Sequence, residues 1–397
     1  MIYSKTMLAC LLLALVASSF AFKMLPSTGR PSMARKAGLY MSDDKVNIVL
    51  VGCGVPSRGM GWYHGIQLLE GRCPSATLSH VVEPWFMGAG ADSEPGKVFK
   101  AFQEETEAKY PTKFHAKLED VQVSGKSMAL IAGRTADNPR LLKEICDMGI
   151  GNIYLEKPGA PTVAELEEMA KYAKSKGVGV FMGYNKNVTP YVTQAREAEA
   201  ANAGATTKFI HNNAYKPEEL PECFERNAEG MLKNMAIHEC ALLVTYYGVT
   251  VENIASIDFD ADFTSCQTLN GFTDFDKVGF SIDTKDGKSV SVYANRCGGS
   301  NSQAIVSVDG KEIFKSITPD AELEKVCEAK QAEHPDWMPY FFLQDEDYVT
   351  LKERTSKHII DGASGSPEGI ATIEIAIDAL KVAEYLTAEG MKQFAPK

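Results

Sequence analysis

The sequence lacks most of what would tie it to a disulfide scaffold, a metal centre, a membrane or a polyanion. Its nine cysteines are widely spaced, with no C-x-x-C pair and no metal-ligand spacing. That excludes a zinc ribbon or a disulfide framework and leaves free thiols, expected to be buried in a reducing compartment. The apolar run at residues 7–16 is too short to span a bilayer. There is no internal repeat and no low-complexity tract after residue 41. Positive charge is scarce: residues 1–41 hold Lys5, Lys23, Arg30, Arg35 and Lys36 but no acid, so the formal net charge of −11 becomes about −16 beyond them. So acidic a body argues against nucleic acid or an anionic membrane as a partner.

The chain has 397 residues, 45% of them hydrophobic, enough for two or three domains with sizeable cores. Residues 1–41 read as a presequence. Lys5 precedes the apolar run, Ala17-Ser18-Ser19 suits signal peptidase, and residues 20–41 are basic, hydroxylated and free of acid. The stretch from Ala17 to Phe22 resembles the cleavage motif of two-part plastid presequences in diatoms and related algae, with Phe20 following the cut and Phe22 replacing their usual proline. A plastid is the expected destination, the secretory pathway or the exterior the alternative.

Two rhythms divide the rest. Over residues 42–186, short apolar strands at 46–51, 78–83, 128–132, 153–155 and 178–182 alternate with helical patterns. One helix opens at Asn138-Pro139, and another at the Thr162/Glu165 capping box. Strands separated by helices predict a doubly wound parallel sheet, because parallel neighbours need crossover connections. Over residues 187–397 the period shortens to two. Val278, Phe280 and Ile282 alternate before Asp286-Gly287, and residues 305–308 and 313–314 flank Asp309-Gly310. Asp-Gly between alternating runs marks hairpins, so an α+β domain with a largely antiparallel sheet is expected, closed by an amphipathic helix over 370–386.

The motifs fall at strand ends. Gly52-x-Gly54 closes the first strand, where a tight turn and close backbone approach to a pyrophosphate require missing side chains. The third glycine of G-x-G-x-x-G is replaced by Ser57, so Gly59 or Gly61 is expected to take its role after an inserted helical turn. Glu83 ends the second strand, where an acid accepts hydrogen bonds from an adenosine ribose. No arginine follows Glu83, which favours NAD over NADP, although Arg58 could reach a 2′-phosphate. Glu156-Lys157-Pro158 ends another strand, and Tyr184, Asn185, Lys186, Asn234 and His238 follow.

Together, Gly52-x-Gly54, Glu83-Pro84, Glu156-Lys157-Pro158, Gly183-Tyr184-Asn185 with Pro190, and Asn234-x-x-x-His238 resemble the glucose–fructose oxidoreductase and inositol dehydrogenase (Gfo/Idh/MocA) family. The resemblance covers nearly all of residues 45–390. It implies a Rossmann domain binding NAD(P), a second domain whose open sheet mediates homo-oligomerisation, and hydride transfer to or from a sugar or polyol. Lys157 matches the family lysine that contacts the substrate hydroxyl and orients the nicotinamide, and Glu156 and Pro158 flank it at the cofactor. His238 matches the acid/base, and Tyr184 and Asn185 line the boundary between cofactor and substrate, as does Lys186 unless it is solvated.

Asn234 stands where the family often has aspartate. Four residues before His238, it is expected to share a helix face with it, fixing the ring or binding a substrate hydroxyl without raising its basicity. His238 is then expected to titrate near the ordinary value of about 6.5, with Lys157 as the other candidate base. Two further readings stay open: a glycoside hydrolase or epimerase that retains its NAD, and a non-catalytic cofactor-binding subunit.

Overall fold

The computed structural model describes residues 45–397; the expected presequence lies outside the described residues. Six strands form the first sheet: β1 (Val46–Val51), β2 (Ala76–Val82), β3 (Lys113–His115), β4 (Ser127–Ile131), β5 (Asn152–Leu155) and β6 (Gly179–Met182). Their order is β3-β2-β1-β4-β5-β6, and every pair is parallel. All six residues of β1 and all five of β4 are buried, as expected of central strands with both faces covered by helices. This is the doubly wound sheet that the alternating pattern predicts. The edge strand β3 carries no such signal, being three residues long with Lys113 exposed. The strand order reverses between β1 and β4, and ligands bind in the crevice that such a switch opens beyond the carboxyl ends.

The second half forms a mixed, mostly antiparallel sheet from β7 (Thr206–Ala214), β8 (Ile254–Phe259), β9 (Ser265–Leu269), β10 (Phe272–Thr284), β11 (Ser289–Asn295), β12 (Cys297–Val308) and β13 (Lys311–Thr318). The order is β13-β12-β7-β11-β10-β8, with β9 beside β10. Both expected hairpins form, β10/β11 and β12/β13. Asp309 and Gly310 both have positive φ, at 50° and 74°, the requirement of a turn whose twist matches the strands it joins. Only β7 and β11 pair in parallel.

Two late helices tie the halves together. Ile373–Phe394 lies against Ile237–Tyr247 and Val163–Ser175, and Asp345–Asp361 returns to β1 and β2. No helix among the described residues is long and apolar enough to cross a membrane. All eight described cysteines are free, but their expected burial holds for only five. Cys266 and Cys327 are half-buried, and Cys297 is exposed at the start of β12, where its register with β7 shifts.

Candidate active site

The turn after β1 fits a close-approaching ligand. Gly52 and Gly54 have φ of 83° and 75°, a region only glycine enters freely. A Cβ on Gly52 would lie 2.6 Å from the Cα of Gly133. The expected extra helical turn is instead a tight loop, in which Arg58 N and Gly59 N both donate to Val55 O and Ser57 adopts φ 67°. Helix Met60–Leu69 then begins, and Gly61 takes the third-glycine role, since a Cβ there would sit 2.0 Å from Gly52 O. Glu83 is 5% exposed; its Oε2 accepts from Gly54 N at 2.9 Å and its Oε1 from Trp85 N at 3.3 Å. Arg58 is exposed.

Sequence reasoning passed over what lies just past Glu83. Pro84, Trp85, Arg134 and Asp137 line a cavity, with Trp85 60% exposed. Arg134 follows Gly133, whose backbone packs on Gly52. The signal in the sequence was Trp85, an indole two residues past the strand-end acid; its exposure and its arginine neighbour come from the fold.

Glu156, Lys157 and Pro158 follow β5, with the Lys157–Pro158 peptide cis. Lys157 is partly buried. Burial lowers its pKa, and the carboxylates of Glu156 and Glu229 oppose that shift. Glu156 Oε1 lies 3.0 Å from His64 Nε2.

His238 sits on helix Ile237–Tyr247, but the single helix expected to join it to Asn234 is broken. A separate turn, Met231–Asn234, ends before Ala236, whose N–H reaches back five residues to Met231 O. Asn234 Nδ2 donates to Glu229 Oε1 at 2.6 Å, so Asn234 is engaged by Glu229. His238 is 8% exposed, with Nδ1 buried and unpartnered and the edge-on ring of Tyr184 at 5.9 Å. The expectation of an ordinary histidine pKa fails. Burial, then Lys157 and Lys186, push His238 well below its usual value.

The residues that sequence reasoning missed or left open surround it. Lys186 is not solvated: its Nζ donates to Glu239 Oε1 at 2.6 Å and to Ser302 Oγ at 3.0 Å. Glu239 Oε2 lies 2.9 Å from His211 Nδ1. Burial acts to raise the Glu239 carboxyl, but His211 and Lys186 outweigh it and hold it below the usual carboxylate range. Lys157, Lys186, His211, His238 and Glu239 thus form one electrostatic cluster. Asn185, Lys186, His211, Asn301 and Ser302 line a polar cavity there. Asn185 Nδ2 also donates to Asp347 Oδ2 at 3.3 Å, and Tyr184, only 1% exposed, packs behind the site.

No family model matches the chain, and no curated protein matches it. Solved structures do. A myo-inositol dehydrogenase from Corynebacterium glutamicum is similar with a TM-score of 0.63 at 16% identity, over 89% of this chain and 98% of its own. The WlbA dehydrogenase from Chromobacterium violaceum, in complex with NADH and UDP-GlcNAcA, gives 0.57 at 17%, over 90% and 97%. An oxidoreductase from Agrobacterium radiobacter, in complex with NAD+, L-tartaric acid and magnesium, gives 0.62 at 10%, over 87% and 96%. The likeness is one of fold. This chain shares the architecture of these solved structures over nearly its whole described length.

Proposed function

We propose that this chain is an NAD(P)-dependent oxidoreductase acting on a secondary alcohol or carbonyl of a sugar, polyol or related small molecule. The observation that carries the reading is Lys157 at the carboxyl end of β5, in a sheet whose β1 ends in a glycine turn, with its charge felt by the buried His238. The residues present fit a dinucleotide. The Gly52–Gly133 approach leaves no room for a side chain, and a backbone so bare can meet a pyrophosphate. The buried Glu83 carboxylate suits ribose hydroxyls, which supports NAD ahead of NADP. Neighbours solved with NADH and NAD+ lend the same support.

Bound there, the cofactor supplies the acceptor or donor of a hydride. The chain's own residues do the rest. Gly52 and Gly54 would admit the pyrophosphate and Glu83 would hold the ribose, with Glu156, Lys157 and Pro158 expected at the nicotinamide end. Lys157 donates to the substrate oxygen. His238, held neutral by its surroundings, takes the hydroxyl proton during oxidation. Asn185 and Lys186 face the polar cavity that receives the remaining hydroxyls.

Self-association through the second sheet and plastid delivery by residues 1–41 belong to the same proposal. Exposed Ile313 and Ile317 on β13 support the former. The test is calorimetry with NAD and NADP on the purified protein, then a sugar and polyol panel followed by absorbance of the reduced cofactor. Absence of binding at millimolar cofactor sinks the reading. Tight nicotinamide retained through turnover without net redox product would move it to an NAD-retaining hydrolase or epimerase.

A further inference from the structure

Helix Asp345–Asp361 carries a lysine, Lys352, that is 0% exposed. A buried ammonium is tolerable only where its three N–H groups find acceptors. Here Nζ donates to His64 Nδ1 at 2.9 Å, Gln67 Oε1 at 2.6 Å and Tyr348 O at 2.9 Å. That count decides the state of His64, itself 0% exposed. With Nδ1 accepting, the ring proton sits on Nε2, and Nε2–H then donates to Glu156 Oε1 at 3.0 Å. Gln67 is oriented by the same logic. Its Oε1 accepts from Lys352 while its Nε2 donates to Asp345 Oδ1 at 2.7 Å and Asp345 O at 2.9 Å. Arg72 and Lys330 anchor Asp345 behind it.

This line of donors has a direction, and it ends at Glu156, the residue beside Lys157. We propose that Lys352 and His64 are positioning residues for Lys157, acting through the Glu156 carboxylate. The inference rests on the reading of Lys157 as the substrate-contacting group. Burial drives Lys157 toward its neutral form, and Glu156 is the foremost group opposing that. A carboxylate without the His64 donor would be free to turn away from Lys157, which would then lose its nearby counter-charge. Helix Asp345–Asp361 therefore completes the site from 288 residues beyond His64.

Several groups bear on any titration here. Lys157 faces Glu156 and Glu229, and its charge is felt by Lys186, His211 and His238. Lys352 faces His64, Cys73, Glu156, Asp345 and Arg72. Tyr154 and Tyr348 pack edge-on against His64.

The first measurement needs no variant. In the full chain with ¹⁵N-labelled histidine, without cofactor or substrate, His64 should be the Nε2–H tautomer near neutral pH. A proton on Nδ1, or an averaged mixture, overturns the proposal. The second follows the Lys157 titration in ¹³C-lysine-labelled protein. His64→Gln keeps a donor for Glu156 and should leave the Lys157 midpoint in place. His64→Leu and Lys352→Met should lower it by about one pH unit, a tenfold change in the charged-to-neutral ratio. Unmoved midpoints accompanied only by lower melting temperatures would make both residues purely structural. Cofactor binding with unmoved midpoints defeats this inference alone; moved midpoints without cofactor binding defeat the oxidoreductase reading alone.

Discussion

Lys157 combines burial with a lack of any direct side-chain partner among the described residues, so its removal should cost chemistry rather than fold. Positioned acid–base groups contribute about 10²–10⁴ in rate. Lys157→Met should therefore lower kcat by that order on the identified substrate, with a nearly unchanged thermal melt. Normal turnover would end the assignment. For His238, burial and two lysines favour the neutral ring. If it is the base, the oxidation rate should rise with pH through an inflection below the ordinary histidine value of about 6.5. His238→Asn should abolish that inflection, and Lys157→Met should raise it by removing a neighbouring positive charge. An inflection that survives His238→Asn passes the base role elsewhere, most simply to Lys157. Asn234, turned toward Glu229, is outside that arithmetic.

At the scale of elements, the glycine turn and helix Met60–Leu69 form one unit. Gly61→Ala would drive a methyl into Gly52 O and force the helix away from β1. Overpacking of this kind costs about 1–3 kcal/mol, so chemical denaturation should detect the loss while NAD affinity falls with it. Glu83→Ala should weaken NAD more than NADP in calorimetry, because the carboxylate serves the ribose hydroxyls. Trp85 and Arg134 flank the cavity beyond Glu83, where a purine stacked on indole or guanidinium gains about 1–3 kcal/mol per base in other systems. Trp85→Ala should accordingly weaken NAD and ADP-ribose alike and leave nicotinamide mononucleotide unaffected. Equal losses for all three would place the defect in the fold.

The whole molecule should show its buried network in the pH dependence of stability. His64 is lowered to about 4, by burial first and Lys352 second, whereas the unfolded ring takes its proton near 6.5. The unfolded chain thus binds that proton first as pH falls. The contribution of His64 is complete above about 6.5 and is lost as pH drops toward about 4. Asp347 has the opposite sign. Burial raises it to about 7, so its contribution is present below the ordinary aspartate value of about 3.9 and is lost as pH rises through about 7. Urea melts at pH 7 and pH 5 should therefore show a smaller acid loss in His64→Gln than in the unmodified protein. An identical pH dependence in both would mean that His64 is not held neutral.

What the sequence determined by itself was everything written in local periodicity and local punctuation. The buried run of β1, the glycines after it, the capped helix at Thr162 and the two Asp-Gly hairpins each depend on residues a few places apart, where backbone geometry dictates the pattern. Glu156-Lys157-Pro158 and its neighbours were legible for the same reason. Tertiary structure decided what depends on distant partners. Four-residue spacing joined Asn234 to His238 on paper, yet the chain breaks between them and Glu229 takes the asparagine. Glu239, one residue past His238, reads locally as one more helix acid. Only the fold brings it to Lys186 and His211, 53 and 28 residues away. Lys352 is the extreme case: nothing local distinguishes it from a solvated helix lysine, and two of its three acceptors, His64 and Gln67, exist only once the late helix packs against Met60–Leu69. Side-chain contacts at such separations leave no period in the chain, because the cost of burying a charge is met by groups that only the folded backbone assembles.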